Sequence, residues 1–275
     1  MTTIGFVTGS GFYRHVAEGA GRRRLETPFG SVEIDEARLA GHRCLSLARH
    51  GTAHDRLSNQ VRHRANVWAL REAGAEAVVA STAVGVLDPA VPLGVPLVFD
   101  DLFFPENRLP DGALATFFSE PGDPDRGHWI PRAPFSPFLR RTLLEAARGA
   151  RLDAVDGGCY GHVDGPRFNT RVEVAWLRAA GVGAVSQTCG PEAVLAGELE
   201  LPYALVGFGV NFAPGLGAPE TTPEELAALL ARHRDVVGRL LEAFLQALPA
   251  GTRPPCDTGA VYRMEEHTRR PGRRE

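Results

Sequence analysis

The sequence predicts one large α/β domain over residues 1–250, followed by a Pro- and Arg-rich tail over 251–275. Short apolar runs alternate with stretches of helical period along most of the chain, as in strands and helices layered on a shared sheet. Polar residues stand directly behind several of those runs, at the edge where open α/β sheets bind ligands. A chain of 275 residues that is 44% hydrophobic can bury a sizeable core.

Ile4–Val7 is the first apolar run. Thr8-Gly9-Ser10-Gly11 behind it makes a tight turn whose backbone amides can face an anion. Residues 18–41 carry no long period and read as a hairpin-like excursion around Pro28 and Gly30. Cys44–Ala48 is the next strand, and it delivers Arg49-His50-Gly51 at its end. A helix over Val61–Glu72 follows, with Val61, Ala65, Trp68 and Ala69 on its apolar face and His63 and Arg64 assigned to solvent. Ala77–Ser81 is a strand leading to Thr82 and Ala83, and Leu97–Phe99 is another. Residues 101–137, rich in Pro, Gly and aromatics, read as irregular: a lid, an intersubunit element or a surface insertion.

Phe138–Arg148 has helical period, and the stretch from Gly157 to Gly215 then alternates helix and strand. Thr170 and Glu173 form a T-x-x-E capping box, and Val172, Trp176 and Ala180 recur at helical spacing before Gly181. Gly183–Ser186 is a short strand, and Pro191-Glu192 opens a helix. Tyr203–Val210 is a strand that ends at Asn211. Residues 223–248 form a long amphipathic helix, and the tail from Gly251 reads as a poorly ordered terminus.

A formal charge of −3 gives no reason to expect a nucleic-acid partner. No run of about twenty apolar residues argues for a membrane span, and the first residues lack the pattern of a signal peptide. Cys44, Cys159, Cys189 and Cys256 form no C-x-x-C pair, which fits free thiols in a reducing cytoplasm. No metal cluster, Walker loop or G-x-S-x-G elbow is present, so no metal is expected. Cys189 reads as a small buried thiol rather than a nucleophile.

Ser10, Arg49, Thr82, Thr188 and Asn211 each follow a predicted strand closely. On one sheet they would line one edge with hydroxyls, a guanidinium, the His50 imidazole, backbone amides and a carboxamide. That inventory suits an oxyanion beside an uncharged heteroaromatic ring, and it holds no carboxylate pair for ordinary glycoside hydrolysis.

The ordered motifs TGSG, ARHGTAH, RANVWALREAGAEAV, STAVG, DGPRFNTRVE, TCGPEAVLAGELELPYA and VNFAPG span roughly residues 4–215. In them the chain resembles the trimeric purine nucleoside phosphorylases, above all their methylthioadenosine and methylthioinosine phosphorylase branch. The resemblance implies a three-layer phosphorylase fold around a mixed, distorted sheet, a homotrimer, and metal-free phosphorolysis with inorganic phosphate as co-substrate. It places Ser10, Arg49, His50, Thr82, Ala83 and Thr188 at the phosphate. It assigns Phe168 to packing against base or sugar, Gln187 to the position beneath the ribose, and His128 to a neighbouring subunit's 5′ group.

The base-reading positions depart from the adenine-specific pattern. Where those members resemble T-D-Y-D, this chain reads Val210-Asn211-Phe212-Ala213. Asn211 can donate to a 6-oxo group and accept from a protonated N7, so hypoxanthine fits better than adenine. Asn169 stands where guanine-accepting members have glutamate, and with Gln187 it makes the expected pocket rich in carboxamides. The function implied is phosphorolysis of a 6-oxopurine nucleoside such as inosine or 5′-methylthioinosine, in purine salvage, with Asn211, Arg49 and His50 as the catalytic set. The alternatives are methylthioadenosine cleavage and a non-catalytic nucleoside-binding protein of the same fold.

Overall fold

The computed structural model describes residues 1–9, 21–216 and 221–263. Ser10, assigned to phosphate, lies outside the described residues, as does the arginine-rich end of the tail.

The first half of the chain builds β1 (Thr3–Thr8), β2 (Gly21–Leu25), β3 (Val32–Leu39), β4 (His42–Ala48), α1 (His63–Glu72) and β5 (Ala77–Val86). Short strands β6 (Pro96–Val98), β7 (Asp101–Phe103) and β8 (Gly127–Pro131) precede α2 (Pro137–Gly149) and β9 (Val155–Asp156). The remainder is β10 (Cys159–His162), α3 (Arg171–Ala179), β11 (Val182–Ser186), α4 (Cys189–Glu198), β12 (Tyr203–Phe212), α5 (Pro223–Ala247) and β13 (Gly259–Arg263).

Among the described residues, eleven of the strands form one mixed sheet whose main path runs β2-β3-β4-β1-β5-β11-β10-β7. The sheet branches at β5. Its first half is flanked by β1 and β12, both parallel to it, and its last residues pair antiparallel with β11. One strand thus serves three neighbours, which is what distorts the sheet. Residue alternation divides the core. Ile4 and Phe6 of β1 pack on one face with α2 and α5, through Leu139, Leu143, Leu240 and Phe244. Val7 of the same strand faces α1 and α4, through Ala65, Leu70, Ala193 and Leu195. These are the three layers expected.

Three local expectations change. β5 runs on from Ser81 to Val86, and β12 runs past Val210 to Phe212, so Thr82, Ala83 and Asn211 lie inside strands. The cause is mutual: the two strands pair from Tyr203↔Val78 to Phe212↔Val86, and each gives the other a ladder through polar residues. Residues 101–137 are not wholly irregular, and the segment after Gly251 is not simply a loose end. β8 and β13 come from those two segments and pair antiparallel, with Val261 opposite Trp129. The pair is docked on α4 at Gly197, where an added Cβ would run into the Trp129 ring. Finally, His63 is buried rather than exposed, at 2% relative accessibility. Arg64 is half-buried, donating to Leu114 O and Thr116 O at 3.0 and 2.8 Å.

Candidate active site

The carboxyl ends of β1 and β4 and the middle of β5 meet around Arg49. Its backbone N–H donates to Thr8 O at 3.1 Å, which ties the turn after β4 to the end of β1. Its side chain has no solvent exposure. Nε donates to Glu192 Oε1 at 2.5 Å, Nη2 to Glu192 Oε2 at 2.9 Å, and Nη1 to Ser81 O at 2.8 Å. Tyr203 adds a hydroxyl donor to Glu192 Oε2 at 2.9 Å. The lone cation expected at this position is therefore half of a buried, bidentate ion pair. An unpaired guanidinium here would be costly to desolvate, and α4 supplies the carboxylate that offsets that cost. A guanidinium carries five N–H groups, and the described residues take three of them, which leaves two to offer a ligand. Gly9 lets the turn after β1 lie close, since a Cβ there would sit 3.4 Å from Nη1.

Hydroxyls surround this centre. Thr82 Oγ1 lies 3.1 Å from Ser186 Oγ and 3.2 Å from Ala83 O. Thr188, buried at the N-cap of α4, has its Oγ1 3.5 Å from Cys189 Sγ. The first two amides of α4 are already taken: Cys189 N donates to Tyr160 OH at 3.1 Å and Gly190 N to His162 Nδ1 at 3.4 Å. Any anion here must be held by side chains and the strand backbone, not by those amides. Burial pushes the Cys189 thiol up to about 11, so it is no ready nucleophile.

His50 offers an acceptor. Its Nδ1 stands 3.0 Å from Arg56 O, and a carbonyl only accepts, so the proton is on Nδ1 and the Nε2 lone pair is free to accept. Burial first, then the Arg49 charge, lowers its pKa to about 4, so the ring is neutral near pH 7. A neutral imidazole beside a guanidinium can take a hydrogen bond from a protonated oxyanion while the cation faces its charged oxygens.

Sequence comparison extends over nearly the whole chain. A profile of the Phosphorylase superfamily matches residues 3–246. The chain belongs to the phosphorylase superfamily. It is 32% identical over 261 residues to the "6-oxopurine nucleoside phosphorylase" of Pyrococcus furiosus, covering 93% of this chain and 97% of that one. It is 34% identical over 258 residues to the "Probable S-methyl-5'-thioinosine phosphorylase" of Methanopyrus kandleri, covering 93% and 96%. A solved structure described as methylthioadenosine phosphorylase from Schistosoma mansoni in complex with adenine superposes with a TM-score of 0.80. It is 26% identical, with 89% of this chain and 91% of that chain covered.

In this phosphorylase, Asn211 sits at a bulge of β12 opposite Gly85 of β5, and its Nδ2 donates to Phe212 O at 3.0 Å. Both carboxamide atoms lie within 4 Å of where a Gly85 Cβ would stand, so glycine keeps that floor open. Ala213 is buried at 7%, in a cluster with Leu87, Val174, Leu177 and Val185. Gln187 bridges two loops, accepting from Ser58 Oγ and donating to Arg167 O, both at 2.8 Å. It also lines a cavity of about 150 Å³ with Ser58, Arg108, His162 and Asp164. Phe168 and Asn169 stand at the start of α3. The Phe168 ring is 83% exposed, and the Asn169 amide reaches Glu173 at 3.5 Å. His128 is exposed on β8, the strand docked on α4. The single chain therefore brings together Arg49, His50, Thr82, Ala83 and Thr188, sets Asn211 farther along β5, and leaves Phe168 and His128 outward.

Sequence reasoning missed Glu192, Tyr203, Tyr160 and Ser186. One signal was present for Glu192. It stands in Cys189–Glu198, a helix in which nearly every residue is small or apolar, and a carboxylate there needs a buried partner.

Proposed function

We propose that this phosphorylase cleaves a 6-oxopurine nucleoside with inorganic phosphate, releasing the free base and a ribose 1-phosphate. The observation that carries the reading is a spacing on one strand. Thr82 marks the phosphate cluster and Gly85, three residues on, faces Asn211, so the two lie about 10 Å apart along β5. That is the reach from a phosphate attacking an anomeric carbon to the far edge of its purine.

The arrangement acts by positioning and polarity rather than through a covalent intermediate. Arg49 and the Thr82 and Thr188 hydroxyls hold the phosphate, and His50 takes a hydrogen bond from its protonated oxygen. As the glycosidic bond lengthens, negative charge moves onto the base and Asn211 donates to the 6-oxo group. N7 takes a proton from solvent water, and the Asn211 carboxamide oxygen then accepts from that N7–H. No cofactor enters this scheme, and phosphate is its co-substrate. Among the described residues no group of three His, Cys, Asp or Glu could hold a metal ion. A cytoplasmic setting and a role in purine salvage fit the four free cysteines and the reaction.

A 6-aminopurine presents a donor where a 6-oxopurine presents an acceptor, and a mismatched buried pair costs about 1–3 kcal/mol. Matched assays of inosine against adenosine, and of 5′-methylthioinosine against 5′-methylthioadenosine, are expected to favour the 6-oxo member at least about tenfold in kcat/KM. Asn211→Asp should narrow that ratio. Ala213→Asp is the poorer probe, because it places a carboxylate among Leu87, Val174 and Leu177. A native preference for the adenine substrate would move the reading to methylthioadenosine cleavage. Absence of any ribose 1-phosphate would leave only nucleoside binding.

The family resemblance further supports a homotrimer, in which exposed His128 reaches a neighbouring copy's 5′ group while Phe168 packs against base or sugar. Light scattering should then give a mass of about three chains, each of 29.6 kDa. A fully active monomer would contradict it.

A further inference from the structure

Tyr160, Ser186 and Thr82 form a directed line of hydroxyls that ends at the phosphate cluster. Tyr160 is fully buried on β10 and accepts from the Cys189 amide at 3.1 Å. An amide cannot accept in return, so the phenol's single proton goes to Ser186 Oγ, 2.8 Å away. Ser186, at the end of β11, then passes its own proton to Thr82 Oγ1 at 3.1 Å. Thr82, now an acceptor towards the protein, has its one proton left over. That proton goes to the adjacent Ala83 carbonyl at 3.2 Å, a long contact for an O–H donor.

We propose that Tyr160 and Ser186 are positioning residues for phosphate. They fill the inward lone pair of the Thr82 hydroxyl, so that its proton turns outward to a phosphate oxygen. Without the Tyr160 proton, Ser186 could turn to accept, and Thr82 could donate inward to it and present a lone pair to the anion, a repulsive arrangement. Without Ser186, nothing fills that lone pair and the Thr82 proton stays on the Ala83 carbonyl. The chain of bonds also links this orientation to the first amide of α4, the helix that carries Glu192 and hence fixes Arg49. One strand, β10, thereby sets both the hydroxyl and the register of the helix behind the guanidinium. The inference rests on the phosphorolysis reading for the identity of the anion.

Tyr160→Phe keeps the ring, which packs edge-on to Phe99 at 5.4 Å, and removes only the hydroxyl. Ser186→Ala breaks the line one step later, and Ser186→Thr restores it. The test measures inosine phosphorolysis at varied phosphate, together with phosphate affinity by calorimetry, which needs no turnover. Loss of one oriented hydrogen bond is expected to raise phosphate KM and Kd about fivefold in Tyr160→Phe and in Ser186→Ala. Nucleoside KM should stay within about twofold, and Ser186→Thr should bind phosphate as the native protein does. Because either change breaks the same line, the double variant should be no worse than the poorer single one. Unchanged phosphate affinity in Ser186→Ala, alongside weakened affinity in Thr82→Ala, would overturn the proposal. So would effects of the two changes that multiply. If the native protein binds phosphate with this pattern but releases no base, the phosphorolysis reading fails and the positioning assignment stands.

Discussion

Arg49→Ala is expected to lose both phosphate use and stability, and the two losses can be separated. The substitution leaves the Glu192 carboxylate buried, without its bidentate partner, against Tyr203 and the sheet. Breaking a buried ion pair from one side costs about 3–5 kcal/mol, whereas replacing both partners by neutral groups is often close to harmless. Arg49→Met combined with Glu192→Gln should therefore melt nearer the native protein than Arg49→Ala does. Phosphorolysis should recover in neither. A charge-assisted contact to phosphate is worth about 2–4 kcal/mol of transition-state stabilisation, or roughly 30- to 1,000-fold in kcat/KM. Urea melts read the first effect and phosphate-dependent turnover the second. A double variant with native phosphate dependence would remove Arg49 from the site.

The fold is also expected to weaken steeply in mild acid. His63, His162 and His233 are buried, and burial is the first cause that lowers each pKa, to about 3, about 3 and about 4. The Arg49 charge adds to the lowering for His63 and His233, as His63 does for His162. In the unfolded chain all three bind protons near pH 6.5, while in the folded chain they stay neutral. Stability from this source is complete above about pH 6.5 and declines as pH falls towards 3 to 4. His50, also lowered to about 4, adds to these three, and four such groups make a slope of up to about 5 kcal/mol per pH unit in that window. Glu198, whose carboxyl burial raises, opposes the trend as a single group. His233 stacks on Phe208 with ring centroids 5.0 Å apart, so His233→Phe keeps an aromatic contact and should remove about a quarter of the slope. Thermal melts of both proteins from pH 7.5 to 4.5 would show it; parallel curves would mean that His233 does not titrate.

The strands most legible in the sequence were those whose apolar runs stand alone, such as 4–7, 44–48 and 183–186. β5 and β12 were read short because their last residues, Thr82 to Gly85 and Asn211, owe strand geometry to each other and not to local propensity. β8 and β13 escaped notice for the same reason on a larger scale, since residues 127–131 and 259–263 define each other across the chain. His63 was misplaced because helical period gives the apolar face of α1 but not what lies beyond its first turn. In the site, Arg49, Thr82 and Thr188 were legible as polar residues at or near strand ends. Glu192 was not, since an ion pair is a relation between two positions and periodicity reports one position at a time.

The Arg49–Glu192 pair joins residues 143 positions apart, and Tyr203 locks it from a third segment. Contacts of such long span form late, because the intervening chain must first lose the freedom that keeps its ends apart. An incompletely assembled chain can thus hold hairpins and helices without holding an anion site. The residues that would grip phosphate acquire their charge balance only when both halves of the sheet have met, so competence arrives with the closing of the fold and not before it.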